Sequence, residues 1–172
     1  QRLEFFVGYT RGVVAHLFGD PAGVADALQA ALPLARKAGD LHLARFGEVY
    51  LADAHLASGR YQQGLKLLRS TARHAEKHGP DLLRRAAHGR LFFLEAILGR
   101  SRAASRSRRL LGEIPRTGVV LVEAWNDLWK GLANVVSGES GSELFKAALA
   151  AALCTRVVGR LPASSRRAPM IR

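Results

Sequence analysis

The chain has 172 residues, 48% of them hydrophobic, and a single cysteine, Cys154. This suits one domain or one compact array of repeats, with no apolar run near the roughly 18 residues of a spanning helix. A lone thiol excludes an internal disulfide framework, and with no leader segment a reducing, cytoplasmic location is expected. The first residue is Gln, as expected of a fragment or a processed form. The net charge of +12 is concentrated: Arg100 to Arg116 carries six Arg against Glu113, and Arg156 to Arg172 carries five Arg and no acid.

Glycine punctuates the chain. Gly19, Gly59 and Gly99 are 40 residues apart, in "LFGD", "ASGR" and "ILGR"; Gly39 and Gly79 form a second series, in "ARKAGD" and "AEKHGP". The series resumes at Gly118 and Gly138 after the loss of one residue. Gly just past a periodic segment ends a helix because it takes the left-handed conformation at no Cβ penalty. Asp20-Pro21 reads as a helix start, Asp as N-cap and Pro at the first helical position. Gly79-Pro80-Asp81 reads as a stop followed by a start.

Between the stops, apolar residues recur at spacings of three and four: Val24, Leu28, Ala31, Leu32 and Ala35; then Leu65, Leu68, Ala72 and Ala75; then Phe92, Phe93, Ala96 and Ile97. The pattern predicts eight helices in four hairpins, at 2–18 and 21–38, 41–58 and 61–78, 81–98 and 101–112, 119–137 and 140–158. The one strand-like run, "GVVLV" at Gly118–Val122, continues directly into helical spacing. Hairpins of this length bury their apolar faces by stacking, which needs about three repeats. The tail 159–172, "GRLPASSRRAPMIR", is rich in Pro, Ser and Arg and is expected to be disordered.

The stretch "ASGRYQQGLKLL" resembles a tetratricopeptide repeat, with Gly59 and Tyr61 at the turn, Gly64 in the small-residue place and Leu68 in the large apolar place. The first and third repeats carry Pro21 and Ser101 where that Tyr would stand, and the period of 40 exceeds the family's usual value of about 34. The resemblance covers residues 1–158 and is closest to the longer repeats of large bacterial regulators, where such arrays sit between an ATPase or kinase module and a DNA-binding one. It implies an all-α fold, an α-solenoid of about four antiparallel hairpins wound as a right-handed superhelix. It also implies a non-catalytic scaffold for protein contacts in a larger bacterial regulatory or signalling protein.

In the repeat register, the first helix of each hairpin lines a concave face: Phe6, Tyr9, Val13 and His16; Phe46, Val49 and Asp53; Gly89 and Phe93; Trp125, Leu128 and Leu132. Such an aromatic face suits an apolar helix or peptide of a protein partner or of another domain of the parent chain. Arg102, Arg106 and Arg109 share one helix face, with Arg108 to the side, and could meet phosphates. A nucleic-acid-binding helical protein using 100–116 and 156–172 is therefore the alternative reading. A small-molecule or peptide sensor is the third.

Ser105 and Ser107 lie in basic surroundings where phosphorylation would cut the charge. Trp125 and Trp129, four apart, share a face and read first as core or anchor residues. His74 and His78 also share a face, but no carboxylate or Cys completes a metal shell, so no metal and no cofactor is expected. Cys154, in "ALAAALCTRVV", reads as an inert buried thiol. The "SGESGSE" stretch reads as a turn capped by Ser140 or Ser142, without the Lys-Ser/Thr pair of a phosphate loop. No catalytic constellation is present, no membrane contact is expected, and the apolar helix at 140–158 suggests association through repeat end faces.

Overall fold

The predicted stops at Gly19, Gly39, Gly59, Gly79, Gly99 and Gly138 each end a helix, whereas Gly118 lies within the connection 114–119 and ends none. In the computed structural model, which describes residues 2–138, seven helices follow one another: α1 (Arg2–Leu17), α2 (Pro21–Lys37), α3 (Leu41–Ala57), α4 (Tyr61–His78), α5 (Asp81–Ile97), α6 (Ser101–Glu113) and α7 (Val120–Val136). The expected helix at 140–158, its caps Ser140 and Ser142, Cys154 and the tail at 159–172 lie outside the described residues. No described helix is long and apolar enough to cross a membrane.

Gly59 shows how the stops work. Its φ of 73° turns the chain so that Arg60 N–H reaches back to the His55 carbonyl at 2.8 Å, satisfying an end carbonyl of α3. The same reach-back joins Asp20 to Ala15, Asp40 to Ala35 and Arg100 to Glu95. Gly39 thus belongs in conformation with Gly19, Gly59 and Gly99 rather than with Gly79, its partner in the second series. Gly79 alone is extended, at φ −92° and ψ 152°, because Pro80 bars the helical region to the residue before it. Glycine is still required there: a Cβ would lie 2.6 Å from the Ala75 Cα.

Asp20 accepts from Gly23 N–H at 2.9 Å and Asp40 from Leu43 N–H at 3.2 Å, so both act as N-caps. The strand-like valines extend only to Val119, the extended N-cap of α7.

The 40-residue repeat reappears in the core. Val24 and Gly64, Ala25 and Leu65, Leu28 and Leu68, Leu32 and Ala72, Ala35 and Ala75 are all buried at equivalent positions of α2 and α4. Consecutive helices pack together from α1 to α6, whereas α7 packs chiefly along α5. The cause is a longer connection, residues 114–119, in which buried Ile114 is pinned by Arg85: Nη1 donates to the Ile114 carbonyl at 2.6 Å. Arg85 also pairs with Glu123 at 2.8 Å near the start of α7, and Phe93 meets Trp129 near its end, so α5 and α7 run parallel.

Two buried carboxylates tie the even-numbered helices to the odd ones. Glu48 of α3 accepts from Arg36 of α2 at 2.7 Å, from its own helix's Arg45 at 2.7 Å and from Thr71 of α4 at 2.9 Å. Glu95 of α5 accepts from Arg69 of α4 at 3.0 Å and from Ser107 of α6 at 2.8 Å. Each carboxylate is offset by charge-assisted bonds, which burial of a charge requires.

Candidate functional site

The odd-numbered helices share a side along which aromatic rings run from helix to helix. Phe5 and Tyr9 of α1 are 5.6 Å apart between centroids, Tyr9 and Tyr50 of α3 6.0 Å, and Tyr50 and His16 5.2 Å. From there His16 meets Trp125 of α7 at 5.3 Å, Trp125 meets Trp129 at 6.4 Å, and Trp129 meets Phe93 of α5 at 4.8 Å. The band touches all four helices. Its members other than Phe5 are half-buried, so each keeps an accessible edge.

Beneath the rings lies one ion pair. Arg90 Nε of α5 donates to both Asp53 oxygens, at 2.8 and 2.9 Å, and both side chains are buried. Arg90 Nη1 also donates to its own helix at the Ala86 carbonyl, and its guanidinium carbon lies 5.8 Å from the Trp129 ring centroid. That ring face adds a cation–π contact. His16 Nε2 is 3.8 Å from Asp53 Oδ2. Burial pushes the His16 pKa below its ordinary value, Asp53 opposing and Arg90 reinforcing the shift. Burial likewise pushes the Tyr9 phenol up, with Tyr50 adding to the shift. Both oxygens of Asp53 are engaged by Arg90, so it serves as a fixed counter-ion rather than a base available to His16.

Asn126 of α7, 1% exposed, abuts Gly89, where a Cβ would come within 2.7 Å of its Oδ1. Its amide and the Trp129 Nε1–H have no hydrogen-bond partner among the described residues.

Of the residues expected on a concave face, the structure brings Tyr9, His16, Asp53, Phe93 and Trp125 into this cluster. Phe6 is exposed beside Phe5, and Val13 is half-buried. Val49 is 1% exposed in a core cluster with Ala75, Leu83 and Ala86, and Phe46 packs on that cluster. The reason is register: Tyr50, one residue on and about 100° round the helix, carries the face in α3. Tyr50 and Arg90 lie outside the face expected from the sequence, although they stand 40 apart at equivalent repeat positions. Gly89 is buried against α7, and Leu128 and Leu132 are half-buried.

The basic residues Arg102, Arg106, Arg108 and Arg109 are all exposed on α6. Arg108 lies 5.9 Å from the Phe92 ring, and Arg109 makes a loose 3.7 Å pair with Glu113. Ser107 is buried against Glu95 and is closed to modification, whereas Ser105 is exposed. His42 of α3 joins His74 and His78, with centroids 5.7 and 5.8 Å apart along the row. Among the described residues no group of three or more His, Cys, Asp or Glu is placed to hold a metal. Comparison with protein-family models, with curated proteins and with solved structures finds no match to this chain.

Proposed function

We propose that the chain is a tetratricopeptide-like α-solenoid and a non-catalytic binding module of a larger cytoplasmic regulatory protein of bacterial type, taking an apolar peptide or helix of a protein partner. The observation that carries this reading is the ring band across α1, α3, α5 and α7. Aromatic rings supply large contact area at little entropic cost, and a band that crosses separate helices fits a ligand longer than a small molecule. The recurring glycine terminators and the "ASGRYQQGLKLL" turn support the repeat assignment.

Selection from a random-peptide display library tests it. Enriched peptides should be apolar, should change the fluorescence of Trp125 and Trp129, and should lose most affinity on Tyr50→Ala or Trp125→Ala. A library that yields no enrichment, or binders indifferent to both substitutions, overturns the reading.

A second reading has its own observation. Arg102 and Arg106 on α6 and Lys66 on α4 are exposed and make no ion pair among the described residues, and Arg69 and Ser107 bring the two helices to one shared carboxylate. A polyanion such as duplex nucleic acid fits this surface. Neutralising about five phosphates predicts a log–log salt slope of about −4 to −5. A flat salt response sinks it.

A further inference from the structure

Helix α1 exposes an apolar stripe, and at Leu3, Val7 and Val14 the repeat equivalents are packed against a neighbouring helix. Leu3 is 76% exposed, Val7 47%, Val14 45% and Leu17 44%, with exposed Thr10 between them. Forty residues on, Leu43, Gly47 and Ala54 of α3 face α2; the Leu32 methyl lies 2.6 Å from where a Gly47 Cβ would be. Eighty residues on, Ala87 and Leu94 of α5 pack against Leu65, Leu68 and Ala72 of α4. In both, this stripe is the seat of the preceding even-numbered helix. In α1 the seat is open among the described residues. It borders a groove of about 380 Å³ along α2, lined by Leu3, Val7, Arg11, Ala30 and Leu34 among others.

The residues of the stripe say what fills it. Positions 3, 7, 10, 14 and 17 alternate steps of four and three, the spacing of a helix–helix seam. In an antiparallel pair of α1 helices about a two-fold axis, Leu3 of one copy meets Val14 of the other, and Val7 meets Thr10. On one flank Glu4 meets Arg11 of the second copy, and by symmetry this happens twice. On the other flank Phe6 meets Val13. The pattern is thus complementary to itself in shape and charge. A second copy's α2 and α4, which fill equivalent seats within the chain, are already buried and have no stripe to offer. We propose that α1 is the homodimer interface of this chain, an isologous antiparallel pairing held by Leu3, Val7 and Val14 and registered by Glu4 and Arg11. This proposal does not rest on the peptide-binding reading.

Sedimentation equilibrium of the full chain tests it. A reversible monomer–dimer system is expected. Val7→Asp should leave only monomer with an unchanged circular dichroism spectrum. Glu4→Arg and Arg11→Glu should each weaken the dimer about tenfold, since symmetry doubles each pair. The two together should restore it. A chain that stays monomeric up to high micromolar concentration overturns the proposal. So does a dimer that survives Val7→Asp, one that the double charge swap fails to rescue, or an assembly larger than a dimer.

Discussion

Helices α5 and α6 are adjacent in the chain and both rich in arginine, yet their arginines do different things. In α5, Arg85 and Arg90 are buried, and each meets a buried carboxylate from another helix, Glu123 and Asp53. In α6, Arg102, Arg106 and Arg109 point to solvent, and the pair of Arg109 with Glu113 is exposed at both ends. The difference lies in the neighbours. Around Arg90 stand Gly89, Ala86 and Ala87, whose small side chains let α3 and α7 come close enough to bring a counter-ion and a ring. Around Arg106 the buried small residues, Ala104 and Ser107, face α5, while Ser105 faces solvent and brings no second helix close. Arginine content alone therefore marks neither a core tie nor a binding surface.

The sharpest way to break the contrast is at Asp53. Asp53→Ala strands the Arg90 guanidinium in the core and should cost about 3–5 kcal/mol in urea unfolding. Replacing both partners by apolar residues, Asp53→Leu with Arg90→Met, should be close to neutral. If the single change costs no more than the double, the pair is not buried as described.

Next comes the close approach of α7 to α5. Gly89→Val drives a side chain into Asn126 and should cost about 1–3 kcal/mol. Both tryptophans of the chain are on α7, so their emission and near-ultraviolet circular dichroism report its displacement directly. Unaltered tryptophan signals would contradict the packing.

Acidification should act on the buried side and spare α6. Burial holds the His16 and His88 pKa values below the ordinary range, so the folded chain keeps both neutral. Unfolded histidine takes up its proton near about pH 6.5. Their contribution to stability is therefore complete above that value and falls as pH drops from it toward the folded pKa values. Burial opposes ionisation of Glu123, but Thr117 N–H and hydroxyl, Arg85 and Arg116 outweigh it and hold the carboxyl below its usual range. That contribution is present above about pH 4.3 and is lost only at more acid pH. Urea midpoints measured across pH should show a first decline below 6.5 that His88→Gln reduces. A wild-type midpoint level down to pH 5 would exclude buried neutral histidines.

The smallest effect belongs to α6. Arg106→Glu with Arg109→Glu should change stability by no more than about 0.5 kcal/mol, because exposed pairs contribute little. The same pair of changes should abolish any salt-dependent affinity for duplex nucleic acid. A large loss of stability would show that these arginines are structural, like those of α5.

Much of the fold was legible in the sequence because it is written locally. Gly59 follows directly on a periodic segment and ends it, Asp20-Pro21 starts one, and apolar steps of three and four need only a single helix to be read. The boundaries of α1 to α7 accordingly fall within a residue or two of expectation. The site was legible only in part. Tyr9, His16, Phe93 and Trp125 could be chosen from repeat register, but Val49 was taken in place of Tyr50, since one residue of register swings a side chain by about 100°. Gly79 ends α4 as expected but in an extended rather than left-handed conformation, because Pro80 follows it. The buried role of Arg90 could not be read, because its counter-ion is 37 positions away in the chain.

By itself, then, the sequence determined where helices begin and end, which of their faces are apolar and where the net charge is concentrated. Those properties depend on residues within a few positions of one another. Only the tertiary structure decided that α7 lies along α5, that Asp53 is a counter-ion, and that α1 leaves a helix seat open among the described residues. Each depends on how far one helix can approach another, which glycine and alanine permit but which distant partners determine.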